Sequence, residues 1–333
     1  MIEKIKKIDI KHTLTEGIPI IGLITMIALF AIIVPLVNGN NFLSSNNIVT
    51  LINQGYLMMI ACLASIFLFA QGGADISLQS NIALCSILAA YTIVDFGIIP
   101  AVVVSLLAGA IIGVINGTIY SRLGLMPFIV SMAMNLILDG LLPTIANKDA
   151  FISIPRSYQK MFGGLWFKLL ILGIFFLLCF YLFRYTVFGK YSRAIGAGAT
   201  ATEQSGVNIN RYKLLAFVFS GFGAGVYAIM AMLRTGNGSP SIASGVSFNV
   251  MIGMVLGGTT VTGGLAAKFR SCIIGAMMIT VLTNAMTMLG LPSMAQEIIR
   301  GLLFVIVVVI TYRVTDKVEG NRYIVRKKVK IIG

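Results

Sequence analysis

Charged residues are scarce in this chain: Asp, Glu, Lys and Arg make up 11% of its 333 residues. They usually make up about a quarter of a soluble domain. A soluble fold could not cover the apolar surface of a sequence that is 58% hydrophobic. Apolar runs of roughly 20 residues cross a bilayer as helices. The sequence therefore predicts an all-α polytopic membrane protein.

Residues of the usual catalytic and metal-binding kinds are also few. The single histidine, His12, lies in the charged N-terminal segment. The four cysteines are far apart in the sequence, lie inside apolar runs and form no CxxC pair, so neither a zinc site nor a redox pair is indicated. The sequence also lacks GxxxxGK[ST], HExxH and GxSxG motifs. We therefore expect a chain that is not an enzyme, with no metal site and no cofactor of its own.

About ten apolar runs are candidates for membrane spans, and the third and eighth are the shortest. They cover residues 18–37, 48–70, 78–94, 96–119, 126–146, 165–184, 213–233, 247–262, 271–289 and 293–312. The first run is too long for a signal-peptide core, so we expect a retained span.

Basic residues indicate the orientation of these spans. With the N-terminus inside and ten spans, nineteen of the 25 Lys and Arg residues fall on the cytoplasmic side, five fall outside, and Arg300 falls within the last span. Short cytoplasmic segments are rich in Lys and Arg. We therefore expect both termini in the cytoplasm, with an N-terminal segment over 1–17 and a basic tail over 313–333. The net charge of +14 is interpreted as this topology signal, and nucleic-acid binding is not expected.

An internal repeat is indicated by identities at a constant offset of about half the chain. Shifted by 166 residues, Gly72 falls on Gly238, residues 109–110 fall on 275–276, and residues 123–125 fall on 289–291. The repeat relates spans 2–5 to spans 7–10. The offset is five spans, an odd number, so the two copies are inverted, as in many transporters. Chance similarity between apolar helices is the alternative.

Two charged residues fall at similar depth within predicted spans, which is costly for an isolated charge. Asp139 in the fifth span and Arg300 in the tenth are therefore predicted to form a buried pair. In the alternative, each side chain reaches toward the outer headgroups or an aqueous vestibule.

The polar stretch FAQGGADISLQS interrupts two apolar runs at residues 69–80. Glycine frees the backbone for a tight reversal, here at Gly72 and Gly73. Asp75 and Ser77 can accept hydrogen bonds from the first amides of the next helix. We interpret this stretch as a capped break before the third span.

The longest cytoplasmic connection is GKYSRAIGAGATATEQSGVNINRYK, residues 189–213. Its centre, residues 197–205, is small, polar and compatible with a helix, and it contains Glu203. It is either a solvated linker or a short helix that docks a cytoplasmic partner.

Three of these segments carry a family resemblance. The 189–213 segment resembles the coupling segment of permease subunits of ABC importers for ribose, galactose, arabinose and xylose. GGADIS resembles the GG-x-D-[LI]-S element of that family, and VLGGTTVTGG at residues 255–264 resembles its glycine turn. The sequence departs from the family at Gln71, and at Arg270 and Ser271, where small residues are usual.

The resemblance implies one permease domain over 1–333 in a bacterial cytoplasmic membrane, paired with a second identical or similar permease. It also implies a partner ATPase subunit that binds ATP and Mg²⁺, and an extracytoplasmic sugar-binding protein. The residues implied to couple to the ATPase are Gly196, Ala201, Glu203, Ser205 and Gly206. The residues implied in gating and backbone turns are Gly72, Gly73, Asp75, Ser77, Gly257, Gly258, Gly263 and Gly264.

A sugar needs hydrogen-bond partners along its path. The candidate path residues are Asn53, Gln54, Asn135 and Asn284, for which helix–helix hydrogen bonds are the alternative. The function predicted is the membrane subunit of an ATP-driven sugar importer. The alternatives are an ion-coupled secondary transporter with inverted repeats, or an ABC permease for a sugar-like signal molecule.

Overall fold

The computed structural model describes residues 2–146, 151–259, 263–264, 267–306 and 308–309. Two compact units are distinguished: the chain up to Leu289, and the chain from Gly290 onward. Each unit is described by itself.

The chain folds almost entirely into helices. In order these are α1 (Ile2–Asn38), α2 (Ser45–Ala70), α3 (Leu78–Phe96), α4 (Ile98–Leu123), α5 (Pro127–Ile145), α6 (Arg156–Phe162), α7 (Leu165–Tyr185), α8 (Val187–Ala197), α9 (Ala199–Gln204), α10 (Ile209–Thr235), α11 (Val246–Leu256) and α12 (Phe269–Met288). Two short strands, β1 (Ile152–Ser153) and β2 (Asn237–Gly238), pair antiparallel. In the second unit, residues 293–306 are helical.

The prediction of an all-α polytopic membrane protein is confirmed. Eight helices in the described residues are long and apolar enough to cross a membrane, the first over Gly17–Asn38. The eighth predicted span, 247–262, is shorter than expected: α11 has 11 residues, about half of what a bilayer requires. The tenth predicted span is helical over 293–306, and residues 307 and 310–312 lie outside the described residues.

The core of the first unit is formed by α2, α3, α10 and α12, whose side chains are mostly buried. The apolar side chains of α1 and α7 are largely exposed, as in Ile24, Ile32 and Leu177. Lipid tails can cover apolar side chains, and a helix satisfies its own backbone hydrogen bonds. Such exposed apolar surfaces are therefore compatible with helices in a bilayer.

Helices α4 and α10 approach each other through glycines spaced four residues apart. A Cβ on Gly109 would collide with the carbonyl oxygen of Gly221, and one on Gly113 would collide with that of Phe217. A Cβ on Gly117 would lie 2.8 Å from the carbonyl oxygen of Leu214. Small residues at this spacing let two membrane helices bring their backbones together.

The 189–213 segment is not a loop in the structure. It consists of α8 and α9, and α10 already begins at Ile209 with Asn208 as its N-cap. The Asn208 side chain accepts a hydrogen bond from the Arg211 amide, at 3.2 Å. This cap explains why the helix begins four residues before the predicted apolar run at 213.

Helix starts recur at nearly the offset of the predicted repeat. The starts of α2 and α10 differ by 164 residues, and those of α3 and α11 differ by 168. The helix at 293–306 begins 166 residues after α5. This order agrees with the repeat, whose inverted orientation stays a prediction.

Candidate functional site

Three segments that are distant in sequence meet at the end of α2. A Cβ on Gly196 in α8 would collide with the carbonyl oxygen of Ala70 and would lie 2.5 Å from the amide nitrogen of Gly264. A Cβ on Gly263 would collide with the amide nitrogen of Gly72. The candidate coupling segment and the two glycine turns are therefore in backbone contact. We call this contact, formed by Ala70–Gly72, Gly196 and Gly263–Gly264, the glycine junction.

Gln71 ties the glycine junction to α8 and α10. Its Nε2 donates to Ser192 Oγ at 3.2 Å and to the Tyr212 carbonyl oxygen at 2.9 Å, and the side chain is buried. The departure from the family pattern at Gln71 thus joins α2 to both helices that flank α9. Sequence reasoning missed Ser192 and Tyr212, since neither belongs to a recognisable motif.

Aromatic side chains connect α8 to α2 and α10 near the glycine junction. Phe188 of α8 stacks on Phe67 of α2, with ring centroids 4.0 Å apart and planes at 7°. Phe219 of α10 meets Phe67 edge-on at 4.8 Å. Stacked and edge-on aromatic pairs add about 0.5–1.5 kcal/mol beyond area burial. Phe67 therefore joins α8 and α10 through α2.

Helix α9 presents an exposed face next to this junction. Ala201, Glu203 and Ser205 are exposed, whereas Thr202 is buried and its hydroxyl donates to the Gly198 carbonyl oxygen at 2.8 Å. Gly206 is also exposed and has φ +83°, in the left-handed region that favours glycine. The predicted coupling residues therefore form a surface segment, and Gly196 is its anchor to α2.

The other predicted glycines lie in two further contacts. A Cβ on Gly73 would lie 2.8 Å from Pro127 at the start of α5. Gly257 and Gly258 follow α11: a Cβ on the first would collide with the carbonyl oxygen of Ser271, and one on the second would lie 2.9 Å from Pro19 in α1. The absence of a side chain at Gly257 thus allows close packing against the backbone of Ser271.

Asp75 is buried in the break between α2 and α3. Its carboxylate accepts hydrogen bonds from Ser77 Oγ at 2.6 Å and from Ser220 Oγ at 2.7 Å, together with the amides of Ser77 and Leu78. Burial raises the pKa of the Asp75 carboxyl, while these four donors act in the opposite direction. Asp75 therefore caps the first turn of α3, as predicted. The prediction for Ser77 is wrong, because its side chain makes no capping hydrogen bond and donates to Asp75 instead.

Four other helices each supply a polar side chain to the same break. Besides Ser220 of α10, these are Asn116 of α4, which donates to Ser77 Oγ at 2.8 Å, and Ser131 of α5, which accepts from the Ile76 amide at 3.1 Å. Ser247 of α11 donates to the Ile76 carbonyl oxygen and accepts from the Gln79 amide. Irregular backbone within a membrane protein requires such partners. Sequence reasoning missed them, although polar residues within apolar helices were the available signal.

Asp139 belongs to a second polar group. Ser80 Oγ lies 2.5 Å from Asp139 Oδ1 and 2.7 Å from Asn135 Oδ1, and Asn135 Nδ2 donates to Asp139 Oδ2 at 2.8 Å. The Arg300 Nε donates to the Gln296 carbonyl oxygen in its own helix. Asp139 is exposed and Arg300 is half-buried in the structure, which does not agree with a buried position for Asp139. The two residues lie in separately described units, so their pairing stays a prediction.

The four predicted path residues do not form one site. Asn53 accepts a hydrogen bond from Lys168 Nζ at 2.8 Å, and Asn284 donates to Asn47 across α12 and α2 at 2.9 Å. The Asn284 bond is the helix–helix contact considered as the alternative. Gln54 has a buried Oε1 without a hydrogen bond, and Asn135 lies beside Asp139. A path role for these four residues stays a prediction.

Comparison with known families decides the affiliation. The family described as branched-chain amino acid transport system / permease component matches residues 47–308, which include every helix from α3 to α12. The chain belongs to this family. The family's description is of a permease component of a transport system, so the assignment is a transport subunit.

Several curated relatives cover nearly the same length. The ribose import permease protein RbsC of Escherichia coli (strain K12) is 27% identical, over 90% of this chain and 94% of the relative. The L-arabinose ABC transporter permease protein AraH of Azospirillum brasilense is 28% identical, over 78% of each chain. The D-allose transport system permease protein AlsC of Escherichia coli (strain K12) is 24% identical, over 79% of this chain and 82% of the relative. No solved structure matches this chain.

Proposed function

We propose that this chain is the membrane-spanning subunit of an ATP-driven importer that passes a simple sugar across a bacterial cytoplasmic membrane. The names of the relatives, which are permeases for ribose, L-arabinose and D-allose, support a sugar as cargo. The observation that carries the mechanism is the glycine junction. It joins α8, which leads into the exposed helix α9, directly to the break between α2 and α3.

The energy comes from a partner subunit in this proposal. The chain has no P-loop, so ATP and Mg²⁺ are bound by the partner ATPase. That subunit docks on the exposed face of α9, around Glu203. Its movement displaces α8, and the Phe188–Phe67 stack and Gln71 pass the displacement to α2 and α10. The packing at the break between α2 and α3 then changes, and the transport path opens first to one side of the membrane and then to the other.

Partners on the other side of the membrane complete the system. Lys168 Nζ and Arg234 Nη1 both donate to Asn53, at 2.8 and 2.9 Å, and so place two cations at one point of the predicted outer surface. This positive patch suits acidic residues on an extracytoplasmic sugar-binding protein. A second permease, identical or similar, forms the other wall of the path.

A branched-chain amino acid is the second candidate cargo, because the family's description names that transport system. Uptake assays separate the two. Vesicles holding the chain with the ATPase and binding protein encoded beside it are offered radiolabelled D-ribose, L-arabinose, D-allose or L-leucine. We expect ATP-dependent uptake of a sugar; uptake of L-leucine alone would overturn the sugar assignment.

A further inference from the structure

A cavity of about 260 Å³ opens beside Asp139. Its lining comes from the start of α3, from α5, and from the irregular segment that precedes α11. The polar residues in this lining are Gln79, Ser80, Asp139, Ser241 and Ser244. Pockets for drug-sized ligands measure roughly 300–1,000 Å³, so this cavity suits a smaller molecule such as a monosaccharide.

Asp139 is held with its carboxylate toward the cavity. Ser80 and Asn135 each direct a donor to one of its two oxygens, at 2.5 and 2.8 Å. Each carboxylate oxygen has a second lone-pair direction, so the group can accept two further hydrogen bonds. Asp139 lies 12 residues after Pro127, where α5 begins, which is about 18 Å along the helix. A carboxylate at that depth in a membrane is costly and indicates function.

The opposite wall is a segment of turns, in which the Ile242 and Ser244 amides donate to the carbonyl oxygens of Ser239 and Ser241. Residues 239–245 follow β2 and lead into α11, and Ser241 and Ser244 are exposed on this segment. Ser247 fixes the segment against the start of α3 through the Gln79 amide. The Gln79 Oε1 is buried and has no hydrogen-bond partner. Membrane proteins tolerate irregular backbone at such positions where it lines a cavity.

We propose that this cavity binds the hydroxyl groups of the transported sugar, with Asp139 as the acceptor of two of them. Ser241 and Ser244 line the same cavity and offer further hydroxyl groups to this molecule. Hydrogen bonds to a charged acceptor are stronger than neutral ones, so Asp139 dominates the binding. Binding stays weak enough for release, as a translocation path requires. The inference rests on the proposed sugar transport and adds the residues that select a polyhydroxylated neutral cargo.

Uptake by the assembled transporter tests the role of Asp139. The variants Asp139→Asn and Ser241→Ala are compared with the control Asp95→Asn, which removes a carboxylate from an exposed site at the end of α3. The probes are radiolabelled D-ribose, L-arabinose and D-allose. We expect Asp139→Asn to lower the uptake rate at least about tenfold and Ser241→Ala about threefold, with the control unchanged.

Cysteine labelling tests the cavity with Asp139 intact. All four native cysteines are buried, so a single Ser244→Cys variant provides the reactive site for a small polar methanethiosulfonate reagent. We expect millimolar amounts of the transported sugar to slow labelling at least about threefold. The sugar should not slow labelling of a Ser157→Cys control, which lies outside the cavity on α6.

The outcomes separate this inference from the proposed function. If the wild type imports sugar while Asp139→Asn imports it equally fast, or sugar leaves Ser244→Cys labelling unchanged, the cavity is not a sugar site. If exchanging the charges of Asp139 and Arg300 restores uptake, Asp139 acts through that pair and the inference is overturned. If the wild type imports no sugar at all, the proposed function itself fails.

Discussion

At the scale of single residues, Asp75 organises the break between α2 and α3 by accepting four hydrogen bonds. Two come from the hydroxyls of Ser77 and Ser220, and two come from the amides of Ser77 and Leu78. A buried donor without an acceptor costs about 1–3 kcal/mol, whereas a satisfied one contributes far less. The loss of stability on replacing this side chain should therefore depend on whether an acceptor oxygen remains.

Asp75→Ala should lower the free energy of unfolding by about 1–3 kcal/mol, since it leaves several buried donors unsatisfied. Asp75→Asn keeps one carbonyl oxygen as acceptor and should cost less. The measurement is the thermal midpoint of the purified chain in detergent. Equal midpoints for Asp75→Ala and the wild type would contradict the capping role. Loss of transport by Asp75→Asn at an unchanged midpoint would instead assign it a part in gating.

Gly196→Ala should disrupt the glycine junction. The added Cβ would meet backbone atoms of Ala70 and Gly264, which cannot swing away as a flexible side chain does. Overpacking of this kind typically costs about 1–3 kcal/mol. The matched control is Gly173→Ala in α7, where nothing lies within 4 Å of the added Cβ. We expect a lower thermal midpoint and slower ATP-driven uptake for Gly196→Ala alone; equal behaviour of both variants would refute the junction.

The sequence predicted these residues to different degrees. Asp75 was recognisable as a cap, because a polar residue followed a double glycine and preceded an apolar run. Its partner Ser220, and Ser131 and Ser247, which bond to the Ile76 backbone, were not recognisable, because no local pattern says which break a polar residue in a mostly apolar helix serves. The same holds for Asn135 and Ser80, whose contact with Asp139 depends on how α3 and α5 pack.

At the scale of elements, α8 and α9 form the surface to which we propose that a cytoplasmic ATPase binds. The buried Thr202 fixes α9, while Glu203 is exposed to a partner. The sequence indicated a helix near residues 197–205 through its small residues, but it did not indicate α8. The helical spacing of its apolar and charged residues was an available signal, whereas the contacts of Phe188 and Gly196 depend on the tertiary structure.

Glu203→Lys should weaken ATPase docking about tenfold or more, equivalent to about 1.4 kcal/mol, because a charge reversal at an exposed contact creates repulsion. Membrane insertion should be unaffected. Co-purification of the ATPase subunit and a binding titration in detergent measure the effect. Asp95→Lys makes the same charge change at an exposed site at the far end of α3 and serves as the control. Normal docking by Glu203→Lys would remove α9 from the interface.

Helix positions were predicted within a few residues wherever apolar length decided them. Helices α3, α5 and α7 begin within one residue of the expected positions. The eighth span was overestimated because residues 257–259 are small enough for a span but lie in a turn that follows α11. The β1–β2 ladder joins residues 152–153 to residues 237–238. No local sequence pattern predicts this pairing.

At the scale of the whole molecule, the distribution of basic residues predicts which ends of the helices face the cytoplasm. Variants with one added cysteine test this orientation, because the four native cysteines are buried. Thr200→Cys in α9 should react with a membrane-impermeant maleimide only after cells are opened. Ser157→Cys in α6 should react in intact cells. The reverse pattern would invert the topology and move the proposed ATPase surface to the wrong side.

The central claim is that this chain moves a sugar with energy from a partner ATPase. The most direct measurement is uptake of radiolabelled D-ribose, L-arabinose or D-allose into proteoliposomes that contain this chain with its ATPase and binding protein. The account predicts accumulation that requires both ATP and the binding protein. Accumulation by this chain alone, driven by a proton or sodium gradient, would contradict it.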